Sequence, residues 1–187
     1  MLIDSSYIKR VSEGKRVLDI GCGENKFMGS TGIDFSDVEG VGISHNLENF
    51  PYPIEDNSFD VVLLRNVIEH INGIVGLMEE IHRVSINGAD VLISTPHFSS
   101  LYSYQDPTHV RHLVYDSMDY FTDKTKHANF YSKKIFKMES KMIDFGKSVP
   151  FSYIAKGIFK LSKHKYEKHF SFIFPANQLH YHLNVVK

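Results

Sequence analysis

Residues 17–36 read VLDIGCGENKFMGSTGIDFS and join two short apolar runs through a glycine-containing turn. The first run leads into Gly21-Cys22-Gly23, and the second run ends in Asp34. This order is the layout of a nucleoside-binding crevice, because glycines let the backbone approach the ligand while the acid accepts hydrogen bonds from both ribose hydroxyls. The stretch therefore predicts a nucleoside site at the edge of a parallel sheet.

The loop behind these glycines is too short for a full helix. A nucleotide-binding turn normally opens into a long helix whose N-terminus faces the anionic part of the ligand. Here only residues 25–31 separate the turn from the second strand, which predicts a single helical turn. The third glycine of the dinucleotide pattern G-x-G-x-x-G is also replaced, by Lys26. Because little helix dipole is available, we expect Lys26 to supply the positive charge that faces the ligand.

Short apolar runs alternate with helical patterns further along the chain. The predicted strands of this part are residues 16–20, 32–34, 41–44, 59–64 and 91–95. Between the last two strands, apolar residues recur from Val67 to Ile81 at spacings of three and four, which predicts an amphipathic helix that ends before a turn at Gly88. Strands that alternate with helices indicate a parallel sheet wrapped by helices.

The end of the chain has a different pattern. Residues 136–142 and 179–185 alternate apolar and polar side chains, which predicts two antiparallel strands at the sheet edge. We therefore predict an α/β fold of the Rossmann-like, doubly wound type, with a seven-stranded, mostly parallel sheet and an antiparallel C-terminal edge. Residues 1–187 would form a single domain, with a cofactor-binding core at about residues 15–122.

A lysine-rich insert, at about residues 148–175, separates the last two predicted strands. Within it, Ile154, Ile158 and Leu161 fall on one helical face, which makes a basic amphipathic helix. Two interpretations stay open. The helix is either a solvated face over the core or a patch for a phosphate-bearing or lipid-linked substrate.

The overall composition narrows the classes of protein and partner. The 187 residues are 42% hydrophobic with a formal net charge of −1, which suits one globular domain and argues against nucleic acid as a partner. The single cysteine, Cys22, excludes an internal disulfide and suits a reducing compartment. No apolar run approaches the roughly 18 residues of a membrane span. We expect a cytoplasmic protein with at most peripheral membrane contact, and its oligomeric state stays open.

Four motifs, in order, resemble those of the class I S-adenosylmethionine-dependent methyltransferases. VLDIGCG is similar to the first motif of that family and GIDFS to the second. PYPIEDNSFDVVLLRNVIEHI resembles the stretch that contains the fourth strand, and EEIHRVSINGADVLISTP resembles the helix, turn and fifth strand that follow. The resemblance covers about residues 15–122 and is to type 11-like methyltransferases in a compact form with a shortened first helix. It implies S-adenosylmethionine as the cofactor and methyl transfer to an oxygen or nitrogen of a small-molecule, glycan or lipid-linked acceptor, which could be anionic.

The resemblance also implies which residues contact the cofactor. They are Asp19, Gly21, Cys22 and Gly23 at the methionine part, Asp34 at the ribose, Phe35, Asn46 and Leu47 at the adenine, and Arg65 and Asn66 at the end of strand four. The charge argument adds Lys26 to this set. Asn46 stands where the family has an acid, although an amide can still pair with the adenine edge.

The loop after strand five, residues 97–112, has the sequence HFSSLYSYQDPTHVRH and is the richest in polar side chains. In parallel sheets, ligands bind beyond the carboxyl ends of the strands, where this loop lies. The combination of histidines with an arginine and an Asp-Pro-Thr turn favours a substrate lid over a merely solvated loop. Tyr104, Asp106 and Arg111 are the predicted substrate-binding residues.

Three histidines are candidates for a catalytic base, because an acceptor hydroxyl must lose its proton near neutral pH. His109 in the lid is preferred, ahead of His97 at the end of strand five and His70 at the predicted start of the helix. The pair Glu69-His70 is equally compatible with a structural cap and with a role in the site. No metal site is predicted, since His109 and His112 have no cysteine or acid at ligand spacing.

Two other functions remain as alternatives. A non-catalytic S-adenosylmethionine-binding protein would keep the glycines and Asp34 without turning over an acceptor. A nicotinamide-dependent oxidoreductase would use the same crevice, but pyrophosphate binding needs the third glycine and the full helix that this chain lacks.

Overall fold

The computed structural model describes residues 2–36, 41–123, 132, 135–147 and 149–187. The strands are β1 (Val17–Ile20), β2 (Thr31–Asp34), β3 (Ile43–Ser44), β4 (Phe59–Arg65), β5 (Ser85–Pro96), β6 (Ile135–Asp144) and β7 (Gln178–Val186). They form one sheet in the order β3-β2-β1-β4-β5-β7-β6. The pairs among β1 to β5 are parallel, and β7 runs antiparallel to both β5 and β6. The predicted fold class is confirmed.

Helices cover the sheet and connect its strands. The α-helices are α1 (Ser5–Ser12), α2 (Ile74–Val84), α3 (Tyr102–Gln105), α4 (Phe151–Leu161) and α5 (Lys163–Lys165). Among the described residues, 3₁₀ turns at Gly23–Asn25, Ile68–His70 and Ser117–Phe121 lie between these helices, and a π-helical turn, Tyr166–Phe170, directly follows α5. In the described ranges, no helix combines the length and the apolar composition that crossing a membrane would require.

The central strand β4 is buried on both faces, as its continuous apolar run predicts. Val62 and Leu64 belong to the larger core, which also contains α2, whereas Val61 and Leu63 pack in a second cluster with α1. All four of these β4 side chains have no exposed surface. Burial of each such side chain stabilises the fold by about 1.5–3 kcal/mol. The sheet is therefore a rigid platform, and the loops at its carboxyl edge can be held in fixed positions.

The helix that follows β4 begins later than the sequence pattern predicts. The helix predicted from Val67 is wrong in its start, because α2 begins only at Ile74 and a 3₁₀ turn, Ile68–His70, comes first. Val67 and Ile71 are nevertheless buried, at 6% and 4% exposure, so the apolar spacing persists without a continuous helix. His70 consequently ends a short turn and does not lie at the N-terminus of an α-helix.

Tertiary contacts explain this break. Asn66 adopts a left-handed conformation with φ of 56°. The guanidinium group of Arg111 donates hydrogen bonds to the carbonyl oxygens of Ile71 and Asn72. The carboxylate of Glu48 accepts from the backbone N–H of Asn72, at 2.6 Å. The backbone groups that a continuous helix would use internally are thus bound by side chains from other segments.

The lysine-rich insert contains a helix, and its most buried residues are not the three apolar ones that the sequence pattern places on one face. Helix α4 ends at Leu161, whose side chain is 89% exposed, and Ile154 is 42% exposed. Ser152 and Ala155 are the buried residues of α4, at 3% and 0% exposure. Of the three apolar residues that share this helical face, Ile158 packs against the larger core, whereas the helix stops at Leu161 and the chain continues in an extended conformation at Ser162.

Candidate functional site

A cavity of about 950 Å³ opens at the carboxyl edge of the sheet, and we refer to it as the first cavity. Six of the residues that the family resemblance implied line it: Gly21, Asp34, Phe35, Asn46, Leu47 and Asn66. The other lining residues are Ser44, His45, Glu48, Val67, His70, Ile71 and Thr108. Ser44 and His45 could have been found because they directly precede Asn46 in the sequence, whereas Thr108 comes from the distant loop after β5.

The glycine turn approaches the first cavity closely. Gly21 has φ of +63°, and a Cβ atom built there would lie 2.5 Å from Cγ2 of Val67. Only glycine therefore fits this position without displacing the chain that follows β4. The backbone N–H of Gly23 donates to Oδ2 of Asp34, at 2.9 Å, which ties the turn to the end of β2.

Asp34 is held as an ionised acceptor at the wall of the first cavity. It is 6% exposed, and Oδ1 accepts hydrogen bonds from the backbone N–H and the hydroxyl of Ser36, at 2.9 and 2.7 Å. Burial by itself raises the pKa of this carboxyl, but the hydrogen bonds from Ser36 and Gly23 together outweigh burial and lower the pKa below its usual value. The group is therefore anionic at neutral pH and suited to accept hydrogen bonds from ligand hydroxyls.

Side-chain hydrogen bonds from Asp19 and Arg65 hold the loop after β1, where a full first helix is missing. After the single 3₁₀ turn, Oδ2 of Asp19 accepts from the backbone N–H of Phe27, at 2.7 Å. Arg65 donates to the same Oδ2 and to the carbonyl oxygen of Asn25, at 2.6 Å each. Oδ1 of Asp19 is buried and has no hydrogen-bond partner among the described residues. The loop is therefore fixed without a helix and presents one unused carboxylate oxygen.

Cys22 and Lys26 lie behind this loop. Cys22 is 5% exposed, and its Sγ and the stem of Lys26 both pack against Gly32 of β2. Burial raises the pKa of the Cys22 thiol, and the nearby Asp19 and Asp34 add to the effect. A thiol with a raised pKa is a poor nucleophile, so Cys22 fits a packing role. The ammonium group of Lys26 has no ion pair within the described part of the chain.

A second cavity, of about 690 Å³, adjoins the first and shares Asn66 and His70 with it. Its other lining residues are Glu69, Pro96, Tyr102, Gln105, Asp106, Pro107, His109 and Gln178. Gln178 donates to Oδ1 of Asn66 at 3.2 Å, which links β7 to the end of β4. Gln178 and Tyr102 were not predicted, and no short-range signal marks Gln178, because β7 follows the insert.

His70 and His109 meet at the junction of the cavities, with their ring centroids 4.5 Å apart in an edge-on arrangement. Nδ1 of His70 lies 2.9 Å from Oγ1 of Thr108, and that hydroxyl donates to Asp106 at 2.7 Å. Nδ1 of His109 lies 3.2 Å from the carbonyl oxygen of Ser103. Burial, followed by the neighbouring His109, lowers the pKa of His70, which favours its neutral form.

Glu69 lies under this histidine pair. It is 1% exposed, its Oε2 accepts from the hydroxyl of Thr95 at 2.9 Å, and burial raises the pKa of its carboxyl. The backbone carbonyl oxygen of Glu69 accepts from the N–H groups of Val110 and Arg111, at 2.9 and 3.1 Å. Glu69 therefore combines a structural role, through its backbone, with a side chain that lines the second cavity.

The other residues that were predicted to bind or activate the acceptor do not line the second cavity. His97 has no exposed surface and pairs with Ser99 at 2.8 Å and with Glu167 at 3.2 Å. Arg111 is bound to backbone carbonyls, as described above. Tyr104 is 54% exposed and stacks on His112, with 4.3 Å between the ring centroids. Of the site residues predicted within the lid, the structure brings Asp106 and His109 to the second cavity.

Comparisons with known proteins agree with this architecture. A fold search finds a SAM-dependent methyltransferase from Archaeoglobus fulgidus, with a TM-score of 0.61, 17% identity and coverage of 96% of this chain and 92% of that chain. It also finds a putative methyltransferase from Bacillus halodurans, with a TM-score of 0.64, 15% identity and coverage of 98% and 99%. A third is phospholethanolamine N-methyltransferase 2 from Haemonchus contortus in complex with phosphomonomethylethanolamine and S-adenosylhomocysteine, with a TM-score of 0.56, 17% identity and coverage of 97% and 51%.

Comparison by sequence finds a protein family but no individual protein. No protein of curated function matches the chain by sequence. A family described as methyltransferase domain matches residues 5–142, which is most of the chain. The predicted resemblance to class I S-adenosylmethionine-dependent methyltransferases is confirmed, and with it the enzyme class and the cofactor. The chain belongs to the methyltransferase domain family.

Proposed function

We propose that the chain transfers a methyl group from S-adenosylmethionine to a hydroxyl oxygen of a small-molecule, glycan or lipid-linked acceptor that binds in the second cavity. The observation that carries the proposal is that the two cavities meet at Asn66 and His70. One cavity offers the nucleoside contacts of the family, and the other offers histidine nitrogens beside open space. When bound, S-adenosylmethionine supplies an electrophilic methyl group.

The residues of the first cavity fit this cofactor. Asp19 does not itself line the cavity, but it precedes the lining residue Gly21 by two positions, and its buried Oδ1 has no donor among the described residues, so we assign it to the ammonium of the methionine part. Asp34 is anionic and can accept from the ribose hydroxyls. Phe35 is 78% exposed at the cavity wall, where an aromatic face can pack against adenine. Together with the close approach at Gly21, these features support an S-adenosylmethionine site and offer nothing for a pyrophosphate.

On the acceptor side, the chain positions and activates the nucleophile. We place the reactive oxygen of the acceptor beside His70 and His109, since each ring has one nitrogen engaged by the protein and one left with its lone pair. Most of the rate enhancement would come from holding the acceptor in line with the methyl group, because orientation removes the entropic cost of a bimolecular encounter. His97 is fully buried and is assigned a structural role.

The insert is proposed to attract an anionic acceptor. The side chains of Lys156, Lys160 and Lys165 are exposed on it, while Lys163 is 4.8 Å from the ring centroid of Tyr115. Replacing Lys160 and Lys165 with Gln should raise KM for the acceptor, and the effect should shrink at high salt, because exposed charges are screened beyond about 10 Å at 0.1 M. The control is Lys9→Gln on α1. If KM for the acceptor changes neither with these substitutions nor with the salt concentration, the insert has a purely structural role.

Equilibrium binding and turnover test the proposed function separately. Calorimetry should show one S-adenosylhomocysteine per chain and no binding of NADH. Transfer of labelled methyl groups should then be screened over glycans, nucleotide sugars and lipid precursors. Binding without turnover on any acceptor would favour a non-catalytic S-adenosylmethionine-binding protein, and tight NADH binding would favour an oxidoreductase. Either result would contradict the proposal.

A further inference from the structure

Three potential metal ligands converge between the two cavities. Glu69, His70 and His109 each offer one ligand atom, and these atoms lie within 4.8 Å of one another. Glu69 and His70 come from the 3₁₀ turn after β4, and His109 comes from the loop after β5. The cluster is not evident in the sequence, because α2 and β5 separate the adjacent pair Glu69-His70 from His109.

Glu69 is the most informative member of this cluster. Its side chain is almost completely buried, and its Oε1 has no hydrogen-bond partner among the residues that the structure describes. Buried carboxylate oxygens are normally paired, because the loss of water is otherwise uncompensated. Because Glu69 lines the second cavity beside two histidines, a ligand in that cavity can complete its coordination.

Hydrogen bonds orient both histidines for coordination. The partner of His109 Nδ1 is the backbone carbonyl oxygen of Ser103, which can only accept, so Nδ1 of His109 must donate to it. The hydroxyl of Thr108 gives its proton to Asp106, so it accepts from Nδ1 of His70. In both rings Nε2 is then the nitrogen with the lone pair. Histidine ligands of metals usually donate the other ring N–H to a carbonyl or a carboxylate-linked group in this way.

We propose that Glu69, His70 and His109 bind one divalent transition-metal cation, which holds and activates the acceptor hydroxyl. Two imidazoles and one carboxylate suit Mn²⁺, Fe²⁺, Co²⁺ or Zn²⁺ and leave coordination positions open for oxygen ligands. This inference rests on the proposed function for the identity of the bound oxygen. With the ion bound, the Nε2 lone pairs of His70 and His109 serve as ligands, so the histidines act through the ion and do not take the proton themselves. The hydroxyl O–H bond breaks, its electron pair stays on oxygen, and the proton leaves to water in the open cavity.

Metal titration of the chain tests this without an acceptor. The chain is stripped with EDTA and titrated with Mn²⁺ while electron paramagnetic resonance reports the free ion, and Co²⁺ is followed by its visible absorption. We expect one ion per chain. Thr108→Val should weaken binding about 10–100-fold, the usual effect of removing a group that orients a ligand. Glu69→Gln and His109→Ala should each weaken it further than Thr108→Val does.

The matched control is His112→Ala, in the same loop, where the ring instead contacts the hydroxyl of Ser103. This variant should still bind one ion. Calorimetry with S-adenosylhomocysteine on every variant reports whether the first cavity remains folded. A wild-type chain that binds S-adenosylhomocysteine but no stoichiometric ion would overturn this inference and leave the proposed function intact. Unchanged ion binding in Glu69→Gln and His109→Ala would also overturn it, whereas failure to bind S-adenosylhomocysteine would contradict the proposed function.

Discussion

The two cavities meet at Asn66 and His70 but are assembled in different ways. In the first, Asp34 and the glycine turn come from one short strand–loop–strand unit and bind each other directly. In the second, Glu69 and His109 come from different strand ends, and an oxygen of Glu69 has no protein partner among the described residues. The comparison shows that protein donors already hold both oxygens of the Asp34 carboxylate at the first cavity, whereas the Glu69 carboxylate at the second cavity keeps one buried oxygen for what binds there.

The largest expected effect belongs to the second cavity. His109→Ala should lower kcat about 10²–10⁴-fold, the range for loss of a group that acts on the acceptor proton. Binding of S-adenosylhomocysteine should be unchanged, because His109 does not line the first cavity. Steady-state kinetics with calorimetry check both halves of this prediction. Equal losses of rate and of S-adenosylhomocysteine affinity would show that the two cavities do not act separately.

The next effect concerns the stability of the glycine turn. Gly21→Ala incurs left-handed strain of about 1–2 kcal/mol and adds a clash with Val67, so it should lower the free energy of unfolding by about 2–5 kcal/mol. Gly88→Ala is the matched control, since Gly88 has φ of +80° with nothing within 4 Å, and it should show the strain alone. Denaturant unfolding of both variants measures the difference. Similar losses of unfolding free energy in the two variants would mean that the backbone around Val67 shifts to relieve the clash at little cost.

A smaller effect is expected for the ribose contact. Asp34→Ala should weaken S-adenosylhomocysteine binding by about 1–3 kcal/mol, or roughly 5–150-fold, because two ribose hydroxyls lose their acceptor. The variant also loses the hydrogen bonds to Gly23 and Ser36, so its unfolding should be measured in parallel. Asp60→Ala, which removes an ion pair with Arg16, is the control. Unchanged affinity in a folded Asp34→Ala chain would remove Asp34 from the ribose site.

The smallest effect is expected at Lys26. If its charge compensates for the missing helix, Lys26→Met should weaken S-adenosylhomocysteine by about 0.3–1 kcal/mol, the usual size of a charge–dipole effect at an exposed helix end. Adenosine lacks the methionine carboxylate and should bind the variant as well as the wild type. Calorimetry with both ligands makes the comparison. Equal losses would show that Lys26 supports the loop by packing against Gly32 and has no role towards the carboxylate.

The sequence predicted those parts of the molecule that short-range patterns encode. The number of strands, the antiparallel pair at one edge of the sheet and the position of Asp34 all follow from periodicity and from motifs within a few residues. The start of α2 could not be predicted, because Arg111 and Glu48 bind the backbone between Ile71 and Gly73 from elsewhere in the chain. For the same reason, a search for ligand spacing around His109 and His112 missed Glu69, which reaches His109 only after the sheet has formed.

The central claim is that the cofactor binds in the first cavity with its sulfur towards the second. A crystal structure of the chain with S-adenosylhomocysteine tests this claim most directly. The account predicts that both ribose hydroxyls lie within hydrogen-bond distance of the Asp34 carboxylate and that the sulfur faces His70, where the cavities meet. A cofactor whose adenosine lies against His70 and His109, with its ribose away from Asp34, would contradict the account.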